Sequence, residues 1–491
     1  MKGRFVRHAA AAILIVFISV CAAVAEPVSP AVLKMRHKID TYLENTALSQ
    51  SHVGIKVVSL KTGEVLYARG NKLLFHPAST LKLFTTSAAL TRLGAGFRFK
   101  TTVSADSPDI ADGTLHANLY LKGFADPLLT TDDLSWMAVE LKARGIERVT
   151  GDLVCDETYL DNNYYGRGWM RDDFSSCHYA PIGGLTVNNN CVVVRIRPGS
   201  GAGEPPAVTL EPQIPYITIK NTAFSLITSD EQNGSTLNVI RDWHEPDNVI
   251  TVTGDIAIDQ PEHTFTVTLT PPTPYACRLF SDILAANKIE VAGKMRYGAV
   301  PDEYTELTSY ASAPLSEIIK DINKQSTNLY SELLMKTLGA ELQSPPGTAA
   351  KGIAEIKAFI KQIGMDMGSV EIADGSGVSR YNLISPDHLI GLLSAVYQSP
   401  DLREIFIESL SIAGVDGTLQ FRMRSTPAEG RLKAKTGSMA GVRTIAGLTA
   451  TQDGEAVVFS IMIENFVVDP GVITDIQDRI LVLISSFSRN R

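Results

Sequence analysis

A chain of 491 residues is too long for one ordinary domain, and an apolar content of 44% with 20% charged residues excludes a disordered one. The formal net charge of −8 argues against nucleic acid or an anionic membrane as the main partner.

Residues 1–25 have the make-up of a secretory signal peptide. Lys2, Arg4, Arg7 and His8 form a basic start, Ala9 to Val20 an apolar centre, and Ala23-Val24-Ala25 a small-x-small cleavage site. Cleavage after Ala25 removes three cationic residues and no acidic one, so the mature chain is more acidic still. Cys21 leaves a lipoprotein alternative open, although Val20 is bulky for a lipid-attachment site. No later stretch is apolar enough to span a bilayer. Export implies an oxidising compartment, where the four remaining cysteines can pair. Cys177 and Cys191 flank the turn-rich Pro181-Ile182-Gly183-Gly184 and are the favoured pair, with Cys155 and Cys277 bridged or left as thiols. Their spacing does not suit zinc.

In chain order, residues 27–50 carry helical periodicity through Val32, Leu33, Met35, Ile39, Tyr42 and Leu43. Gly54 to Leu60 and Glu64 to Ala68 read as a hairpin turning at Lys61-Thr62-Gly63. Pro77 suits a helix start, and a helix-compatible apolar run covers Leu81 to Leu90. From about 98 to 300 short β-rich pieces dominate, broken by helices at Ser135 to Ala143 and Leu279 to Ala286 and by the Pro/Gly loop 198–206. This stretch reads as one or two inserted, mostly β modules, one nested in the other. Helices return at Leu315 to Asn323, Leu329 to Leu338, Ala350 to Ile363 and Pro386 to Tyr397. A strand meander follows at Arg431 to Thr436, Thr444 to Thr451 and Ala456 to Glu464, then a closing helix from Gly471 to Phe487. That helix carries Asp475 and Asp478 on its polar side, which favours packing on a sheet over lying on a membrane.

Ser79 and Lys82 lie three residues apart, on one helical face, where an uncharged lysine could take the serine proton. Alone, Ser-x-x-Lys is a weak signal. Two more features follow it in order: Ser326-Thr327-Asn328 and Lys435-Thr436-Gly437. This ordered set resembles the Ser-x-x-Lys, Ser-Asp-Asn and Lys-Thr-Gly signature of penicillin-binding proteins and class A β-lactamases. Tyr120 to Pro127, Gly151-Asp152-Leu153, Tyr179-Ala180-Pro181 and Asp374-Gly375-Ser376-Gly377-Val378-Ser379-Arg380 extend the resemblance over nearly the whole mature chain. The sequence resembles the D-alanyl-D-alanine carboxypeptidase/endopeptidase family, the class C low-molecular-mass penicillin-binding proteins.

The resemblance implies an α/β (α+β) fold. A transpeptidase-like domain, 26–97 plus 301–491, would hold an antiparallel sheet flanked by helices, with 98–300 inserted. It implies a periplasmic serine DD-peptidase working through an acyl-enzyme on peptidoglycan peptides ending in D-Ala-D-Ala or cross-linked, bound by β-lactam antibiotics, with no metal or cofactor. Ser79 would be the nucleophile, Lys82 its base and Ser326 the proton relay. Asn328 would bind the substrate amide, and Lys435 and Thr436 its terminal carboxylate. Lys435 would also supply a second cation that lowers the pKa of Lys82. The backbone N–H groups of Ser79 and Ser438 would form the oxyanion hole. Arg380 and Asp156 are candidates for the side chain of the third peptide residue. Thr327 departs from relatives that are acidic there. The early Lys61-Thr62-Gly63 precedes the nucleophile and reads as a turn, and Ser488-Arg489-Asn490 lies on the tail. A β-lactamase or esterase could use the same Ser–Lys pair, although a Glu-x-x-Leu-Asn motif is missing, and a non-catalytic wall-binding scaffold would need a defective motif.

Overall fold

The structure, a computed structural model, describes residues 29–227, 235–242, 247–366, 368 and 370–490. The signal segment and Cys21 lie outside them. Six antiparallel strands form the main sheet: β1 (His52–Ser59), β2 (Val65–Arg69), β3 (Ser411–Ile412), β4 (Lys433–Met439), β5 (Val442–Ala450) and β6 (Ala456–Glu464). Their order is β2-β1-β6-β5-β4-β3. Both faces are covered, so the central strands read as apolar runs rather than as clean alternations. In β6, Val457, Phe459, Ile461 and Ile463 pack on one side with the helices Pro30–Leu43 and Pro470–Ser485. Val458 and Met462 point to the other side, toward the helices Lys82–Leu93, Asn328–Gln343 and Pro386–Gln398. The closing helix therefore packs on the sheet. Among the described residues no helix is long and apolar enough to cross a membrane.

Strand β3 is only two residues long and pairs β4 at Ala434 and Lys433. Among the described residues, the outer edge of β4 has no strand partner from Lys435 onward, and this open edge faces the cleft described below.

The inserted stretch holds a five-stranded sheet of Met295–Tyr297, Leu153–Asp156, Leu119–Gly123, Lys100–Ala105 and Thr305–Ala311, in that order. The last strand corrects the expected boundary: residues 305–311, assigned to the catalytic part, pair antiparallel with Lys100–Ala105. The chain returns at Ser312, whose N–H donates to the Phe99 carbonyl at 3.0 Å. Two smaller three-stranded sheets lie between residues 191 and 268. Val192, Val194, Ile250 and Val252 from them share one continuous apolar cluster with Leu119, Leu153 and the helices Thr131–Ala143 and Pro272–Ala286. Both cysteine pairs are bridged, Cys155–Cys277 and Cys177–Cys191. The insertion sits against helix Asn328–Gln343, where Trp169, Tyr159, Leu160 and Ile182 meet Leu329, Leu333 and Ala340. A helix at Pro400–Glu408, absent from the sequence reading, follows Pro386–Gln398 after a proline-led break at Ser399.

Candidate active site

Ser79 sits in a 3-10 turn, Ala78–Leu81, that runs directly into the helix beginning at Lys82. The preceding Ala78 has φ of +46°, a left-handed conformation costly for a residue with a Cβ. Its surroundings hold it there. Thr444 Oγ1 donates to the Pro77 carbonyl at 2.7 Å. Gly437 of β4 and Gly377 press against the same turn. A Cβ at Gly437 would lie 2.1 Å from Thr444 Oγ1 and 2.8 Å from the Pro77 carbonyl oxygen. A Cβ at Gly377, whose φ is +86°, would lie 1.9 Å from the Ala78 carbonyl oxygen. The two glycines let a strand and a loop from distant sequence approach the serine closely.

Lys82 is fully buried. Its Nζ lies 2.8 Å from Ser79 Oγ, 2.7 Å from Asn328 Oδ1 and 2.8 Å from the Ser376 carbonyl oxygen. Burial pushes its pKa down to about 7, against the opposing pull of the Asp374 and Glu332 carboxylates. A neutral amine has two N–H groups and one lone pair. With the N–H groups on Asn328 and Ser376, the lone pair faces the Ser79 hydroxyl.

Lys435 is also fully buried, and burial together with repulsion from Lys82 holds its pKa well below the ordinary value. Burial is the largest cause of the Lys82 depression. Lys435 Nζ donates to the carbonyl of Thr436 at 2.9 Å and lies beneath the cleft wall. Thr436, Thr418 and Ser438 form the wall itself, and Thr436 Oγ1 donates to Thr418 Oγ1 at 2.7 Å.

The cleft has a volume of about 690 Å³. Ser79, Ser326, Asn328, Thr436, Ser438 and Arg380 all line it, from four separate stretches of chain. Ser326 holds a left-handed φ of +64° between a π-helical turn, Asp321–Gln325, and the helix Asn328–Gln343. Arg380 is exposed and donates to the Ala440 carbonyl at 3.1 Å. Asp172 and Asp173 of the insertion also line the cleft.

Asp156 does not line it. The residue is fully buried at a strand end, accepting from Thr158 N at 2.7 Å, Thr158 Oγ1 at 2.6 Å and Val300 N at 2.8 Å, with Lys122 Nζ at 3.0 Å. Those donors and the Lys122 charge hold its carboxyl below the usual range despite burial. It is a structural cap, occupied on every side. The early Lys61-Thr62-Gly63 is the turn between β1 and β2, and Ser488-Arg489-Asn490 is tied down by Arg489, paired with Glu455 at 2.8 Å. Neither borders the cleft. Among the described residues, no group of three or more His, Cys, Asp or Glu side chains is arranged to hold a metal ion.

Glu332, Trp169 and His178 escaped the sequence reading, which named Asp374 only as part of a family motif. Glu332, fully buried, accepts from Gly375 N at 3.0 Å and Ser376 N at 2.8 Å. Burial and the neighbouring Asp374 raise its pKa. Asp374 accepts from Gly377 N at 2.8 Å, Ser379 N at 2.6 Å, Asn382 Nδ2 at 2.8 Å and Trp169 Nε1 at 3.0 Å. His178 accepts Asn328 Nδ2 on its carbonyl at 2.8 Å. Glu332 had a signal, standing one turn after Asn328 on the same helical face. Trp169 and His178 had none.

The family model for D-Ala-D-Ala carboxypeptidase 3 (S13) matches residues 35–486. The chain belongs to that family. A D-alanyl-D-alanine carboxypeptidase of Actinomadura sp. is 35% identical over 93% of this chain and 85% of its own length. The D-alanyl-D-alanine carboxypeptidase DacB of Haemophilus influenzae is 28% identical, covering 85% of this chain and 86% of that one. The crystal structure of penicillin binding protein 4 (dacB) from H. influenzae superposes with a TM-score of 0.82 at 25% identity, over 91% of this chain and 99% of that one. The protein is a serine D-Ala-D-Ala carboxypeptidase, a hydrolase with the α/β penicillin-binding fold.

Proposed function

We propose that Ser79 is the acylated nucleophile and Lys82 the general base. The observation that carries this reading is Lys82 Nζ, buried and 2.8 Å from Ser79 Oγ, with its other contacts taken by two acceptors. Lys82 takes the hydroxyl proton as Ser79 Oγ attacks the carbonyl carbon of the penultimate D-alanine. The backbone N–H groups of Ser79 and Ser438 stabilise the tetrahedral oxyanion, each donor contributing about 3 kcal/mol. Ser326 relays a proton to the departing amine of the terminal D-alanine. Water, deprotonated by the same lysine, then releases the acyl group.

The peptide lies along the open edge of β4, where strand addition orients it. Thr436 binds its terminal carboxylate. That carboxylate also offers the buried Lys435 a counter-charge, which favours the ammonium form when substrate is present. Asn328 has its carbonyl on Lys82 and its amide on His178, so its proposed role moves from gripping the substrate amide to orienting the base. Arg380 with Asp172 and Asp173 fits a third-residue side chain bearing both carboxylate and ammonium. Such a side chain occurs at diaminopimelate cross-links and would add endopeptidase action. The catalytic unit is residues 26–98 and 312–491, and export through residues 1–25 places it in the periplasm, where peptidoglycan peptides and β-lactams reach it.

Incubation with labelled penicillin followed by peptide mapping tests the assignment. Label is expected on Ser79, absent from Ser79→Ala; label on another residue overturns it. The persistence of the adduct separates a peptidase, which holds it, from a β-lactamase, which turns it over. Digestion of intact sacculi reads the endopeptidase component as loss of cross-linked dimers.

A further inference from the structure

The two acceptors that aim the Lys82 lone pair are themselves held from the insertion. Asn328 could present either end of its amide to Lys82. The His178 carbonyl accepts from Nδ2 at 2.8 Å, and that bond leaves Oδ1 facing Nζ. Reversing the amide would set oxygen against oxygen at His178 and N–H against N–H at Lys82. The second acceptor, the Ser376 carbonyl, belongs to the turn that Asp374 ties together, and Trp169 Nε1 donates to Asp374 Oδ2 at 3.0 Å. Trp169 and His178 lie on one segment, nine residues apart, and stand 205 and 150 positions from Asp374 and Asn328, the residues they hold.

The segment is pinned to the body of the insertion by three devices. Thr268 N donates to the Ser175 carbonyl at 3.1 Å. Arg241 Nη2 donates to the Phe174 carbonyl at 3.1 Å. The Cys177–Cys191 disulfide joins the segment to the strand Cys191–Arg197. Trp169 is buried, edge-on to the Tyr179 ring at 5.7 Å, so its N–H cannot swing away.

We infer that the segment 169–178 of the insertion is a positioning element for the general base. Trp169, through Asp374, and the His178 carbonyl, through Asn328, hold the two acceptors of Lys82, and the Cys177–Cys191 disulfide tethers the segment that carries them. The inference rests on Lys82 being the base. It assigns the insertion a part in acylation rate that is separate from binding peptide.

Trp169→Phe removes the N–H and keeps most of the ring packing. Stopped-flow acylation by benzylpenicillin resolves a non-covalent constant K and a first-order constant k2. The expected result is a fall in k2 of about tenfold, short of the roughly 10²-fold that a 1 Å misplacement can cost, with K unchanged and label still on Ser79. Cys177→Ser/Cys191→Ser should lower k2 in the same sense, with K again unchanged. A k2 within twofold of the parent in Trp169→Phe overturns the inference, and so does a loss carried by K, which would mean ordinary packing of the cleft wall. A parent-like k2 in the cysteine variant removes the disulfide from the device. If that variant does not fold, Trp169→Phe decides alone. Label found away from Ser79 in the parent would instead bring down the proposed function.

Discussion

The same tripeptide, Lys-Thr-Gly, occurs twice in this chain and does two unrelated jobs. Lys61-Thr62-Gly63 turns the hairpin β1–β2 in the open. Gly63 has φ of +75°, and a Cβ there would meet nothing within 4 Å. Lys435-Thr436-Gly437 lies in β4 against the nucleophile turn, with Lys435 fully buried and no room at Gly437 for a single carbon. Glycine serves backbone conformation in the first copy and close approach in the second. Lysine is exposed in the first, whereas in the second burial and a neighbouring amine depress its pKa. Local sequence is identical, and the chemistry differs because only one copy is brought beside Ser79.

Substitutions at matched positions can break this comparison. The largest effect is expected for Lys435→Ala, a loss on the order of 10²–10³-fold in kcat/KM for D-Ala-D-Ala peptides, with Lys61→Ala indistinguishable from the parent. Equal losses in the two variants would dissolve the distinction.

Gly437→Ala should cost about 1–3 kcal/mol in chemical denaturation through overpacking, and should slow penicillin labelling of Ser79 as the turn is pushed aside. Gly63→Ala should cost about 1 kcal/mol through its left-handed φ alone and leave labelling intact.

The pH dependence sharpens the contrast between the buried amines and the solvated one. Lys82 acts as a base only when deprotonated, and its pKa lies at about 7. The acylation rate should therefore fall about tenfold per unit as pH drops below 7 and level off above it. The smallest effect is expected for Glu332→Gln. It removes a carboxylate that favours the charged form of Lys82, so the acid limb should move to lower pH, by less than about one unit. A limb that moved upward would contradict the arrangement of charge described here.

Much of the architecture was legible because it is local or periodic. The hairpin, the helix after Ser79, the β4–β6 meander and the closing helix follow from alternation, helical spacing and turn residues. The ordered motifs pointed to the family before any geometry was known. Less legible were features set by pairing across the chain. Thr305–Ala311 falls to the catalytic part until its pairing with Lys100–Ala105 is seen. Asp156 has the character of a binding carboxylate until its four partners are counted, and nothing near it in sequence names Val300 or Lys122.

By itself the sequence determined which residue types are available for chemistry and where regular elements form, since propensity and periodicity act over a few neighbours. Tertiary structure alone decided which lysine is dry, which glycine is crowded and which carboxylates stand under Lys82. Those properties depend on what other segments remove from water, and a pKa or a steric clash belongs to a surrounding assembled from remote positions rather than to a residue.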